Sequence, residues 1–88
     1  MNTLNRNKVG LIVGSFAALV HVIWSTLVAL QWAQPFQDFI FGIHFIVNPN
    51  LVLPFDLVTA IELIVLASIV GYVVGFVLAT IWNHFHRG

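Results

Sequence analysis

Two long apolar runs flank a shorter stretch that is aromatic and punctuated by proline. The first run extends from Val9 to about Leu30 and is interrupted by Ser15, His21, Ser25 and Thr26. The second extends from Leu57 to Trp82 and is interrupted by Thr59, Glu62, Ser68 and Thr80. A helix rises about 1.5 Å per residue, so roughly 20 residues cross a hydrocarbon layer of about 30 Å. Both runs are long enough, and lipid offers a backbone no hydrogen-bond partner, so both are expected to be α-helical. The alternating polarity of a membrane barrel is absent. The pattern predicts an all-α membrane protein, a two-helix antiparallel hairpin with a short interfacial or re-entrant helix in its connection. Its expected segments are a tail at 1–8, spans at 9–33 and 57–82, a connection at 34–56 and a tail at 83–88.

The connection holds five of the eight phenylalanines, together with Pro35, Pro49 and Pro54. It is too interrupted for a third span and too aromatic for a solvated loop. Pro35 suits the first turn of a helix, predicted over about 36–47, before a turn at Asn48-Pro49-Asn50. Phe36, Phe39, Ile40, Ile43 and Val47 would share one face of it, the pattern of a helix lying in the membrane interface. Asp56 stands where an N-cap of the second span is needed.

Composition places the chain in lipid rather than water. Of its 88 residues 60% are hydrophobic and 7% charged, against about 25% charged in a soluble domain. Three basic and three acidic residues leave no electrostatic footprint for nucleic acid. The absence of cysteine excludes disulfides, thiolate metal sites and cysteine nucleophiles. No nucleophile–base pair, phosphate-binding loop or metal-spaced cluster is visible, so no enzyme activity and no metal site are expected.

The few charges still carry information. Arg6, Lys8 and Arg87 lie at the chain ends, and the connection has neither lysine nor arginine. The positive-inside rule then places both termini in the cytoplasm of a cell whose inner membrane holds the protein as a multi-pass chain. Trp32 and Trp82 fall at the ends of the spans, where interface-anchoring rings settle. The N-terminal run is longer than a signal-peptide core and lacks a small-x-small cleavage site, so it reads as a retained anchor.

Helices associate in lipid through close backbone approach, which small residues permit. The first span carries Gly10, Gly14 and Ala18 at four-residue spacing, and the second Ala67, Gly71, Gly75 and Ala79. Matching the span ends puts Gly10 level with Ala79, Gly14 with Gly75 and Ala18 with Gly71. These stripes would serve packing within the hairpin or, alternatively, a homo-oligomer interface. His21 and Ser25 continue the first stripe and Ser68 the second. His21 is expected near mid-membrane, hydrogen-bonded to Ser68 or to a backbone carbonyl, because an unpaired imidazole there is costly. Glu62 lies about 180° around its helix from Gly71, close enough to the end of the span to snorkel, be protonated or meet His44.

Three functional readings follow. The first is a structural, accessory or self-assembling subunit, working through its small-residue stripes within the bilayer, with itself or in a larger membrane complex. The second is a small pore or proton-conducting oligomer built on His21. His21 and Trp24 resemble the histidine–tryptophan pair of viral proton channels at a spacing of three rather than four, and the topology is similar to that of two-span phage holins. The third is a tetrapyrrole-binding subunit with His21 as axial ligand, since Ala17-x-x-x-His21 resembles the ligand segment of bacterial light-harvesting antenna subunits. No other cofactor is expected.

The segment from Trp32 through Gln34-Pro35-Phe36, Asp38-Phe39-Ile40-Phe41, His44-Phe45-Ile46 and Asn48-Pro49 to Pro54-Phe55 resembles small two-span integral membrane proteins of bacteria. That resemblance spans most of the chain. It implies the topology and no particular activity, and it directs attention to Asp38, His44, Asn48 and Pro49.

Overall fold

A computed structural model describes residues 3–86. They form three helices, α1 (Arg6–Ala29), α2 (Ala33–Ile43) and α3 (Leu57–Phe85), with no strand among the described residues. Arg87, one of the three basic residues used to orient the chain, lies outside them. Helices α1 and α3 are both long and apolar enough to cross a membrane, with mean hydropathies of 2.0 and 2.5 over their most apolar windows.

The helix limits follow from local chemistry. Asn5 caps α1 by accepting the Lys8 N–H at 3.0 Å, so α1 starts three residues before the apolar run. It stops at Ala29, four residues short of the expected 33. Gln31 adopts φ 63°, the Trp32 N–H reaches the Leu27 carbonyl at 2.8 Å, and the Gln31 N–H reaches Val28 at 3.0 Å. This is a Schellman turn with glutamine in the left-handed position usually given to glycine. Helix α2 ends the same way. Phe45 takes φ 62°, while Phe45 and Ile46 donate to the Gly42 and Phe41 carbonyls at 3.1 and 3.0 Å. Each non-glycine residue in that region costs about 1–2 kcal/mol, which the paired turn bonds offset. Helix α2 therefore covers 33–43 rather than 36–47, with Pro35 inside its first turn, where a missing N–H leaves no helical bond unmade.

Helices α1 and α3 pack face to face, and chain numbers rise along one as they fall along the other. A methyl placed on Gly75 would sit 2.8 Å from the Val9 carbonyl oxygen and 3.0 Å from Gly10 Cα; one on Gly71 would sit 3.0 Å from Gly14 Cα. Gly10 thus meets Gly75 rather than Ala79, and Gly14 meets Gly71 rather than Gly75. The register is shifted by one helical turn from the sequence expectation. The expectation matches the span ends at 33 and 57, whereas α1 ends at Ala29 and the glycines themselves set the facing pairs. Gly10, Gly14, Gly71, Gly75 and Ala79 are buried, whereas Ala18 and Ala67 are half-buried at the flanks.

The burial pattern is inverted relative to a water-soluble core. The buried hydrophobic residues are Ala33 and Ala79, while Phe16, Leu19, Ile23, Leu66, Ile69 and Val73 stand exposed along the two long helices.

Replacement of Gly75 or Gly14 by alanine is expected to force α1 and α3 apart at a cost of about 1–3 kcal/mol. A methyl added at Gly42 would meet nothing within 4 Å, so Gly42→Ala should leave stability unchanged or raise it by up to about 1 kcal/mol. Thermal unfolding of the three variants in mild detergent checks the contrast. Equal behaviour of Gly42→Ala and Gly75→Ala would remove the close approach as the organising contact.

Candidate functional site

Four polar side chains within the two long helices turn back on their own backbones. The His21 Nδ1–H donates to the Ala17 carbonyl at 2.7 Å, leaving Nε2 as the free ring nitrogen. Ser68 donates to Ile64 at 2.7 Å, Thr26 to Val22 at 2.8 Å and Thr80 to Phe76 at 2.8 Å. Of the two partners expected for His21, the carbonyl is realised and Ser68 is not, because Ser68 is satisfied one turn back on its own helix. His44 likewise donates to the Ile40 carbonyl at 2.6 Å. Among the described residues no hydrogen bond or ion pair joins it to Glu62, which is exposed on the α3 face turned away from α1. Among the described residues no group of three histidine, cysteine, aspartate or glutamate side chains could hold a metal.

The densest polar constellation lies between α2 and the returning segment 48–56. Gln34 is its hub. Its Oε1 accepts the Val52 N–H at 2.6 Å, while its Nε2 donates to the Asn50 carbonyl at 3.2 Å and to Asp38 Oδ1 at 3.0 Å. The amide thus pairs with the returning backbone as a neighbouring strand would. Asn48 donates to the same Asp38 oxygen at 2.9 Å and to Gln37 Oε1 at 3.3 Å. Its own Oδ1 accepts the Asn50 N–H at 2.9 Å, which shapes the turn at Pro49. Asp38 and Asn48 were visible in the sequence as candidates; Gln34, Gln37 and Asn50 were not. The available signal was Gln34 one helical turn before Asp38, a spacing that lets an amide and a carboxylate meet.

This network leaves α2 two-faced. Gln34, Gln37 and Asp38 look toward the return segment, while Trp32, Phe36, Phe39 and Ile43 are exposed on the opposite side. Val47, placed by sequence on that apolar face, lies beyond the helix and is 90% exposed. The return segment roofs a cleft of about 270 Å³ between α1 and α3, whose lining includes Trp24, Ser25, Val28, Leu53, Thr59 and Leu63. Its walls suit a nonpolar chain better than an ion. Ser25 contributes a hydroxyl there.

Asp56 caps α3. Its Oδ2 accepts the Thr59 hydroxyl at 2.6 Å and the Thr59 N–H at 3.1 Å. The hydroxyl first, then the amide, hold the carboxyl below its usual value of 3.8.

The chain matches no protein-family model, no curated protein and no solved structure. Its site must be understood from its own geometry.

Two outcomes test that geometry. Gln34→Ala removes the acceptor for Val52 N–H, and exchange of that amide should quicken by about tenfold, the equivalent of one net hydrogen bond; unchanged exchange would show that the amide does not hold the segment. For Asp56, the folded carboxyl protonates at lower pH than the unfolded one. Its contribution is therefore complete above about pH 4 and fades as acid carries the pH down through the folded value. Protection of the Thr59 amide, relative to its intrinsic exchange at each pH, should fall on that descent, and Asp56→Asn should flatten the response.

Proposed function

We infer that this chain is a small integral membrane protein that acts as a structural or accessory subunit, and that its assembly surfaces are its outward helix faces and its aromatic connection. The observation that carries the reading is the inverted burial. Two long apolar helices keep their large side chains outside and bury glycine and alanine between them. In water such a surface would be an extreme aggregation liability; in lipid it is an ordinary one.

In this reading α1 and α3 form a two-span antiparallel hairpin. Ideal helices of these lengths extend about 36 and 44 Å, enough to cross with tilt or overhang. Arg6 and Lys8 mark the cytoplasmic end, whereas Asp38, Asp56 and Glu62 sit in the α2 half of the chain. Helix α2 would then lie in the outer interfacial layer of the inner membrane, its phenylalanines toward the acyl chains and its amide network toward water. Trp32 and Trp82 would stand at opposite interfaces.

The glycine stripes, which by spacing alone suit either an internal seam or a self-assembly surface, are occupied by the chain's own packing. Homo-oligomers or larger complexes would therefore form through other faces. The free Nε2 of His21 is the atom through which a proton-conducting or tetrapyrrole-binding role would have to run, and nothing beside it in the fold favours either over the structural role.

A cysteine at position 50 in an otherwise cysteine-free chain should react with an impermeant maleimide added outside right-side-out inner-membrane vesicles. Labelling only from the cytoplasmic side would overturn the orientation. Purification from the native membrane should bring defined protein partners in fixed ratio and no Soret or pigment band. A chain that purifies alone with a pigment would replace the accessory reading with the tetrapyrrole one.

A further inference from the structure

The end of the bundle formed by the start of α1 and the close of α3 has a construction of its own. Residues before α1 are strapped along α3 by a reciprocal pair: the Leu4 N–H donates to Asn83 Oδ1 at 2.7 Å, and Asn83 Nδ2 donates to the Leu4 carbonyl at 2.8 Å. One helical turn further along α1, the Tyr72 hydroxyl donates to Asn7 Oδ1 at 2.6 Å. Gly10 makes room for this reach, since a methyl there would sit 2.8 Å from the Tyr72 ring.

The strap leaves a polar cleft of about 300 Å³ lined by Thr3, Arg6, Thr80, Asn83 and His84. The Arg6 guanidinium lies 5.1 Å from the centre of the Phe76 ring, which holds its stem against α3 while its donors stay unpaired by any acid. The three acidic residues, Asp38, Asp56 and Glu62, are all elsewhere in the chain. Thr80 spends its proton on the Phe76 carbonyl, and Asn83 spends its amide on Leu4. Among the described residues, therefore, the charge in the cleft is a cation with no acidic side chain beside it. A planar fork of N–H donors beside hydroxyl and imidazole groups is the chemistry that recognises a phosphate oxygen pair.

We propose that this cleft binds the phosphate of an anionic phospholipid, with Arg6 as the principal ligand and Thr3 and His84 beside it. The proposal rests on the membrane reading above, and its level in the bilayer supports a lipid source. Trp82, exposed and stacked on His86 at 3.8 Å, lies at the same end of α3, where interface-anchoring rings settle against headgroups. Lys8, the neighbouring cation, does not line the cleft. Diffuse surface attraction would weigh Arg6 and Lys8 alike, whereas a built site favours Arg6 over Lys8.

The test uses the full chain reconstituted in phosphatidylcholine vesicles with and without phosphatidylglycerol, extracted gently and analysed by native mass spectrometry for retained lipid. The expected result is a preference for phosphatidylglycerol of about tenfold, matching one charge-assisted contact. Arg6→Gln should abolish it, and Lys8→Gln should leave it intact. Equal loss in Arg6→Gln and Lys8→Gln would reduce the effect to diffuse charge and overturn the site. Displacement of the lipid by millimolar inorganic phosphate would overturn the lipid assignment in favour of a free anion. A chain that inserts without preference would overturn the proposal alone, whereas one that enters neither vesicle would overturn the membrane reading with it.

Discussion

The close approach of two backbones is the constraint on which the remaining structure depends. Where Gly10 meets Gly75 and Gly14 meets Gly71, a single added methyl would fall at 2.8–3.0 Å from backbone atoms of the other helix. The directions are consistent: the space that side chains would need on Gly14, Gly71 and Gly75 faces the carbonyl oxygens of Ser68, Val13 and Val9. Glycine hydrogens pointing at carbonyl oxygens in this way are the recurrent weak contact of tightly packed helices. Each is small, but together they fix distance and register, and neither can be changed without moving the whole pair. In a nonpolar solvent the helices gain nothing from hiding apolar side chains, so this fit carries the association.

The register expected from sequence depends on where α1 is taken to end. The apolar pattern alone extends the first span through Ala33, and from that limit a one-turn error in facing positions follows. What ends the helix is a left-handed residue at Gln31, and what ends α2 is another at Phe45. Such turns are announced in sequence by glycine or asparagine, and here neither signal is present. Both long helices were legible because apolar runs of that length are compatible with little besides a long helix. The exact end of α1 was not legible, because its stop is set by backbone hydrogen bonds that tolerate an ordinary side chain.

The α2 segment shows the same division between composition and geometry. Its aromatic content and its prolines marked it as something other than a loop or a third span. Its actual organiser, Gln34, is an unremarkable polar residue by type. It matters because α2 begins at Ala33 rather than 36, which brings the Gln34 amide level with the backbone at 50–52. Asp38 and Asn48 could be singled out as polar residues in an apolar setting; their bond to each other and that of Gln34 to Val52 could not, since partnership across 10 or more positions is a property of the fold. The helix cap at Asp56 is the opposite case. Asp-x-x-Thr ahead of an apolar run is a local pattern, and its chemistry is complete within four residues.

Polar groups divide along the molecule in a way that bears on where any activity can reside. In the long helices His21, Thr26, Ser68 and Thr80 each close on a carbonyl four residues earlier, so no side-chain hydrogen bond ties the middles of α1 and α3 together. Bonds between elements gather at the two ends: Leu4–Asn83 and Asn7–Tyr72 at one, and the Gln34 network at the other. A self-satisfied middle means that pairing specificity comes from shape, which is why glycine cannot be exchanged there. It also means that polar recognition falls to the ends, where polar groups already reach across from one element to another. Among the described residues Arg6 and Lys8 stand at one end and Asp38 and Asp56 in α2 and at the start of α3, so that each end presents a different chemistry while the seam between them stays neutral and tight.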